Sequence, residues 1–441
     1  MSLVPQITRK AANAPTLVDT KDIVKYWPDD VINECSKRIN KLSDIRTLSL
    51  LSKHFFLVVF NDKFPTWQTL LASHFPSTCQ RKQPIPQPIL FYKHLKAINH
   101  QLKTGTHQTR TLSAQRSDIQ CLSVQGASLI SGSSDSSFAI WDLKSGDLQR
   151  HVPLLDQKKC YCMKIKGEKI FCGLANGTIT VWDVKSGEML HSLKDHVGNI
   201  IDIKESDGKL ISTSTDGVIN IWDIASGQLR HTLADNNGYS FNFIEVKDGK
   251  LISDCYCFTI KVWDLETGEL LHNGNAQHDG KIHGLAVEDD KVVSWSYNVD
   301  HPRCSTIKIW DLKTGQLLRT LKKEQGPIFS FQVSDGMIIY GTWQKTIKVW
   351  DLESGNELHT LVDLYARTDC LKVHDGMLFS SSGDHMIKIW DLATGQLFRS
   401  LAVPEDDIYC MEVNDGMLIV GLGKGMVKIF DFTPPSEKPA T

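Results

Sequence analysis

A serine, a histidine and an aspartate lie close together in the middle of the chain: His196, Ser212 and Asp216, shortly before Trp222. These residue types could form a hydrolase triad, in which the histidine takes the proton of the serine and the carboxylate orients the histidine. Similar groupings recur in places, but no other feature of the sequence suggests a nucleophile. We therefore expect no catalytic residue and no enzymatic activity.

Lysines and cysteines also recur at fixed positions. Each of five lysines stands two residues before a tryptophan or its phenylalanine substitute: Lys261, Lys308, Lys348, Lys388 and Lys428. Long stems along a strand with solvated amines explain them, and phosphate binding is the alternative. Of the 11 cysteines, Cys121, Cys162, Cys370 and Cys410 share a strand register with Gly284 and Ser330, so this position favours a small side chain. Their spacing matches no metal site, and we expect reduced cysteines, no metal and no cofactor.

The dipeptide Trp-Asp organises the second part of the chain. It recurs at Trp141, Trp182, Trp222, Trp263, Trp310, Trp350 and Trp390, then as Phe430-Asp431, at steps of 41, 40, 41, 47, 40, 40 and 40 residues. A β-branched run precedes each occurrence, and a Ser-Gly or Thr-Gly turn, a leucine pair and another strand follow most of them. This period is typical of WD-repeat propeller blades. We predict a mostly β fold, an eight-bladed WD40 β-propeller over residues 106–432, followed by a disordered tail at 433–441.

The first and last repeats are incomplete in complementary ways. The last repeat lacks a fourth strand, whereas residues 106–114 resemble the fourth-strand segment 227–235 and precede the first full repeat. We expect the N-terminal strand to close the ring onto the last blade, which leaves no free sheet edge.

Charge differs between the two parts of the chain. Residues 1–106 carry 15 Lys/Arg and 7 Asp/Glu, whereas 107–441 carry 34 and 44. Neither part is basic enough to indicate nucleic acid, and the positive first part suggests an acidic protein partner. No stretch reaches the roughly 20 apolar residues of a membrane span, and residues 1–20 lack the apolar core of a signal peptide and are expected to be disordered. We expect a soluble cytoplasmic protein with no membrane contact; the nucleus and delivery into another cell stay open.

Residues 21–75 have helical periodicity, and three short helices are predicted here. Such helices cannot bury a sizeable core alone, so a partner or a neighbouring domain must cover part of their surface. Residues 76–105 contain a proline-rich linker and then one more amphipathic, connecting helix.

Several residues of the helical module resemble an F-box: Trp27-Pro28, Asp30, the run from Leu48 to Lys53, and Trp67. Trp27 replaces the usual leucine and Phe55 the usual tryptophan. Together with the repeats, the module resembles the F-box/WD-repeat proteins, substrate receptors of SCF-type cullin–RING ubiquitin ligases. The resemblance implies that a Skp-type adaptor binds to Trp27, Pro28, Ile32, Leu48, Leu51, Lys53, Phe55 and Trp67. A helical cap on the propeller is the alternative. In WD repeats the Ser/His/Asp grouping is a hydrogen-bond network within one blade.

Two positions per repeat are expected to line one face of the propeller near its channel. They are occupied by Gln120, Tyr161, Ile201, Asn242, His283, Phe329, Asp369 and Tyr409, and by Ser134, Ala175, Thr215, Tyr256, Tyr297, Trp343, Gly383 and Gly423. The phosphodegron receptors of the family place arginines at such positions, and none of these sixteen residues is Arg or Lys. The aromatic residues favour an apolar or aromatic peptide. The predicted substrate-binding residues are Tyr161, Tyr256, His283, Tyr297, Phe329, Trp343 and Tyr409, with plugging of the channel as the alternative role.

These features predict a non-catalytic substrate-recognition adaptor of an SCF-like ubiquitin ligase, whose F-box holds the Skp-type adaptor and whose propeller holds a protein substrate. The alternative is a WD40 scaffold that organises a multiprotein complex without a ubiquitin-ligase role. Six extra residues within 298–306 lengthen the fifth repeat, and loops of this kind often carry specificity.

Overall fold

The computed structural model describes residues 107–153, 160–234, 241–255, 258–274, 277–298, 304–321, 324–362 and 366–433. The chain separates into two units, and the larger one spans Gln101–Val373 and Met377–Thr433. Within the described ranges, eight antiparallel sheets contain 33 strands. The predicted F-box-like module and connecting helix lie outside these ranges and stay predictions, as do the domain boundaries.

The first four full blades each have four strands in chain order. Their bounds are β2 Ile119–Gln125, β3 Ser128–Ser133, β4 Ser137–Asp142 and β5 Leu148–Pro153; β6 Cys160–Lys166, β7 Lys169–Leu174, β8 Thr178–Asp183 and β9 Met189–Lys194; β10 Ile200–Ser206, β11 Lys209–Ser214, β12 Val218–Asp223 and β13 Leu229–Ala234; β14 Ile244–Lys247, β15 Lys250–Cys255, β16 Thr259–Asp264 and β17 Leu270–Asn273.

The other four blades repeat this order with two variations. Blade five has β18 Lys281–Glu288, β19 Lys291–Asn298, β20 Cys304–Asp311 and β21 Leu317–Thr320, with the short β22 Glu324–Gln325 paired to β20. Blades six and seven have β23 Ile328–Ser334, β24 Met337–Thr342, β25 Thr346–Asp351 and β26 Glu357–Val362; β27 Thr368–His374, β28 Met377–Ser382, β29 Met386–Asp391 and β30 Leu397–Ala402. Blade eight combines β31 Ile408–Asn414, β32 Met417–Leu422 and β33 Met426–Asp431 with β1 Gln108–Ser113.

Strand β1 closes the ring. It pairs antiparallel with β33, from Gln108 opposite Asp431 to Ser113 opposite Met426. An outermost strand supplied by the start of the repeats therefore completes the last blade, so that the two ends of the ring share one sheet. The predicted closure and the count of eight blades are confirmed.

Local sequence explains the blade geometry. In the hairpin between β10 and β11, Asp207 and Gly208 both have positive φ, 49° and 75°, as a tight hairpin turn requires. In the same blade, Trp222 is buried and its indole nitrogen donates to Ser212 Oγ at 2.9 Å. The same indole-to-serine bond holds Trp141, Trp263, Trp310 and Trp390 in their blades.

Apolar side chains fill the spaces between neighbouring blades. Leu129 and Trp141 of blade one, for example, pack with Ile419 and Val427 of blade eight. Further clusters of this kind join successive blades from one to seven in the described ranges. Because each blade covers the apolar face of the next, burial of apolar surface stabilises the ring as a whole.

The small-residue register of the first strand has a steric cause. Cys121 lies opposite Gly132 in the next strand, and a Cβ on that glycine would be 2.7 Å from Cys121 Sγ. In blade five the positions are exchanged: the first strand has the glycine, Gly284, and it lies opposite Trp295 of the second strand. Seven of the described cysteines are free. The prediction of reduced cysteines is wrong for Cys255, which is disulfide-bonded.

Candidate partner-binding face

The starts of the first strands and the ends of the second strands meet on one face of the ring. First strands of neighbouring blades contact one another, as β2 does with β31 and β6 with β10, so they surround the channel. Most of the sixteen predicted face residues are at least partly exposed there, and Gly423 is buried. In the part of the chain that the structure describes, no helix is long and apolar enough to cross a membrane.

The strongest aromatic group on this face is in blade six. Trp343 is 62% exposed, and its ring centroid lies 5.9 Å from that of Phe329 at 33°. A Cβ on Gly326 would lie 2.8 Å from Trp343 Cβ, so the Gly326 backbone comes close behind the tryptophan. Exposure of so large a side chain costs free energy unless a partner covers it, and tryptophan is enriched among residues that dominate interfaces.

Arg367 contributes to this site although it is absent from the sixteen register positions. Its guanidinium lies over the Phe329 ring, 5.1 Å from the centroid, and its Nε donates to Asp369 Oδ1 at 2.8 Å. Strand register does not reveal this arginine, because it is two residues from Asp369 and reaches Phe329 across the boundary between blades six and seven. Asp369 balances its charge, so the site has little net positive charge to offer a phosphate.

A second aromatic pair is in blade five. His283 and Tyr297 meet edge to face, with ring centroids 6.4 Å apart. Burial, and then the positive charge of Lys281, lower the pKa of His283, so this imidazole is neutral near pH 7. The fifth-repeat insertion lengthens both neighbouring strands, as Asn298 pairs with Cys304. Asn298 Nδ2 also donates to Asp279 O at 2.7 Å.

The remaining predicted aromatic residues are separate from these pairs. Tyr161 in blade two and Tyr409 in blade eight are 50% and 43% exposed. Burial, and then Asp118, Asp407 and Asp406, raise the pKa of Tyr409. Tyr256 lies outside the described residues. The structure therefore brings together His283 with Tyr297 and Phe329 with Trp343, and it places Tyr161 and Tyr409 in blades two and eight.

The Ser/His/Asp grouping forms a closed hydrogen-bond chain. His196 Nδ1 is 2.8 Å from Asp216 Oδ2, and its Nε2 is 2.8 Å from Ser212 Oγ. Ser212 is fully buried and also accepts the bond from Trp222. No substrate reaches this hydroxyl, so the chain of bonds ties the loop before β10 to strands β11 and β12.

The recurring lysines are not solvated as the sequence suggested. Lys261, Lys308, Lys388 and Lys428 are all less than 9% exposed. Lys308 Nζ donates to Gln277 O at 2.5 Å, and Lys388 and Lys428 bind Asp384 and Glu405. The amines of Lys308 and Lys428 therefore hold the loop that enters their own blade, and Lys388 binds the turn before its own strand, so partners within the protein explain the register without a phosphate. In the described ranges, no three His, Cys, Asp or Glu side chains gather as a metal site would require.

Comparison with known proteins agrees with this architecture. The model of the WD domain, G-beta repeat family (WD40), matches residues 106–142 and 187–223. Among solved structures, the chain is similar to the crystal structure of the computationally designed Ika8 protein, with a TM-score of 0.66 and 30% identity. That similarity covers 73% of this chain and 98% of the designed one. No curated protein matches the chain.

Proposed function

Because this chain carries WD40 repeats that form an eight-bladed propeller suited to protein–protein interaction, we propose that it binds a protein segment through the Trp343 face. The observation that carries the proposal is the 62% exposure of Trp343 above Phe329. An exposed tryptophan with a rigid backing can enter a partner's apolar pocket or receive an apolar side chain at little entropic cost.

The finer proposal is that the propeller is the substrate-binding part of an SCF-like ubiquitin-ligase receptor that acts in the cytoplasm without catalysis of its own. Its support is the resemblance of residues 27–67 to an F-box, joined to a propeller with a candidate partner-binding face. In this proposal a Skp-type adaptor covers the apolar side chains of the N-terminal module, and the propeller presents the substrate for ubiquitin transfer.

One experiment separates this role from that of a scaffold. The full chain is co-expressed with a Skp-type adaptor and purified through it, beside a variant with both Leu48→Ala and Leu51→Ala. We expect the parent to co-purify and the double variant to lose the adaptor while its propeller melts at the same temperature. Equal recovery of both proteins, or no recovery of the parent, favours the scaffold function.

The binding face is tested by Trp343→Ala. We expect the affinity for a partner to fall by about 2 kcal/mol or more, the usual result when an anchor residue is truncated. The matched control is Leu148→Ala, which removes an apolar side chain that is 46% exposed on the outer strand β5. Phosphatase treatment of the partner should leave the affinity unchanged, and a strong dependence on phosphate would contradict an aromatic site.

A further inference from the structure

Within the described ranges, Asp369 uses only one of its two carboxylate oxygens. Oδ1 accepts from Arg367, whereas Oδ2 has no hydrogen-bond partner among the residues that the structure describes. Oδ2 lies toward Gly383, 3.7 Å from the position that a Cβ would take there. The carboxylate is exposed on the binding face, so this oxygen is available to a donor from outside.

Gly383 leaves room beside this oxygen. The position that Trp343 occupies in blade six is Gly383 in blade seven and Gly423 in blade eight. A Cβ on Gly383 would meet nothing closer than 3.7 Å. We call the space over Gly383 the groove; it lies on blade seven, between blade six, which carries Trp343, and blade eight, which carries Tyr409.

The protein already holds one cation at this place. The Arg367 guanidinium is 5.1 Å from the Phe329 centroid and 2.8 Å from Asp369 Oδ1, so an aromatic face and a carboxylate together bind it. Cations are attracted to aromatic faces and most strongly to tryptophan. Trp343 and Asp369 Oδ2 offer the same two kinds of group, an exposed aromatic face and a carboxylate oxygen.

The electrostatic field on the far side of the groove also favours a cation. Burial, and then the negative charges of Asp118, Asp407 and Asp406, raise the pKa of Tyr409. Lys424 pairs with Asp406 at 3.1 Å, and His385 is 3.7 Å from Asp407. Lys424 offsets part of this negative charge. Asp118 and Asp407 still add negative charge at the end of the groove where a bound peptide segment would leave it.

Resting on the proposed function, we propose that the bound segment places a lysine or arginine side chain over Gly383, between the Trp343 ring and Asp369 Oδ2. The stem of that side chain covers the indole, and its charged end pairs with the free oxygen. Among the described residues of this site, the guanidinium available to an acidic ligand is that of Arg367, and it is already paired with Asp369.

The test is a selection of random peptides displayed on phage against the full chain, followed by synthesis of the enriched peptides and titration calorimetry. We expect a conserved Lys or Arg among them. Its replacement by Gln, or Asp369→Asn in the protein, should each weaken binding about tenfold, as loss of a partly desolvated charge pair does. The two changes together should cost little more than one alone, because both remove the same contact.

Controls separate this contact from general charge effects. Asp207→Asn changes the net charge equally in the exposed hairpin turn between β10 and β11 and should leave the affinity unchanged. Arg367→Gln should strengthen binding severalfold, since it removes a like charge. Enriched peptides that need Trp343 but lack a basic residue would overturn this inference and leave the proposed function intact. Acidic peptides that need Arg367 would overturn it as well, whereas peptides indifferent to Trp343→Ala would overturn the proposed function itself.

Discussion

Blades three and five build the same connection from different residues. In blade three, Asp216, His196, Ser212 and Trp222 form an unbroken chain of hydrogen bonds from the surface to the core. In blade five, His278 bonds to Ser294 at 2.6 Å and Trp310 to the same oxygen at 2.8 Å. His278 Nδ1, however, is buried without a hydrogen-bond partner in the described ranges, because no aspartate takes the place of Asp216.

Blade five differs in its apolar contacts too. Trp295 stacks on Phe331 of blade six with ring centroids 4.0 Å apart, and Phe331 stacks on Tyr340. Tyr340 in turn donates to Glu324 Oε1 at 3.1 Å, at positions where blade three has Ser212 and His196. An aromatic stack between two blades thus accompanies the weaker polar chain.

Where blade five departs from the regular repeat at one position, a second position changes to accommodate it. Gly284 makes room for Trp295, since a Cβ there would lie 1.9 Å from the indole ring. The same two blades carry His283, Tyr297, Phe329 and Trp343 on the binding face. A regular blade such as the third supports the ring, whereas the irregular pair also carries the largest aromatic side chains of the candidate site.

The largest expected effect is at the reversed pair. Gly284→Cys should destabilise the protein by about 3 kcal/mol, because the new side chain overlaps Trp295 in a packed interface. Adding Trp295→Gly recreates the Cys121–Gly132 pair of blade one and removes the overlap. Urea denaturation of both single variants and the double variant measures the coupling. We expect the double variant to lose clearly less stability than the two single variants lose together. If the losses simply add, the two positions are independent.

A smaller effect, with a pH signature, is expected in blade three. Burial raises the pKa of Asp216, but bonds from His196 and from the backbone outweigh this and the pKa is lowered overall. A carboxyl whose folded pKa is lowered stabilises above its unfolded pKa and loses that contribution as pH falls through the folded value. Asp216→Asn should therefore cost about 2 kcal/mol at pH 7, and this cost should shrink as pH falls below the unfolded value of about 3.9.

Asp135→Asn is the matched control for this change. Asp135 occupies the same position in blade one, where Gln115 replaces the histidine and Asp135 accepts from Arg116 N at 2.6 Å. Its variant should be less destabilised than Asp216→Asn at pH 7. If the two variants lose the same stability, the bond between His196 and Asp216 adds nothing to what the aspartate gains by accepting from its loop backbone.

The period of the Trp-Asp repeat was enough to predict the ring, its eight blades and the closing strand, because each depends on chain spacing and strand count. The network role of Ser212 and His196 followed from the same likeness. Contacts between neighbouring side chains were harder to predict. Lys428 meets Glu405 only because the loop before β31 folds over the blade, and Arg367 reaches Phe329 only because two blades lie side by side. Neither contact has a signal in strand register.

The smallest effect is expected from His278→Gln, which gives blade five the residue type found at the same place in blade one. Burial, and then Lys308, lower the pKa of His278 to about 3. Since the unfolded chain takes up a proton near pH 6.5 and the folded protein does not, His278 makes the protein lose stability as pH falls from about 6.5 toward 3.

Glutamine can accept or donate to Ser294, as Gln115 accepts from Ser131 Oγ at 2.6 Å, and it does not titrate. The variant should match the parent at pH 7 to within about 1 kcal/mol and exceed its stability by about 1–2 kcal/mol at pH 5. Thermal melts of both proteins from pH 7 to pH 4.5 measure the difference. If the difference in stability between the variant and the parent is the same at every pH, His278 takes up its proton in the folded protein as it does in the unfolded chain. The missing aspartate then costs blade five no stability in acid.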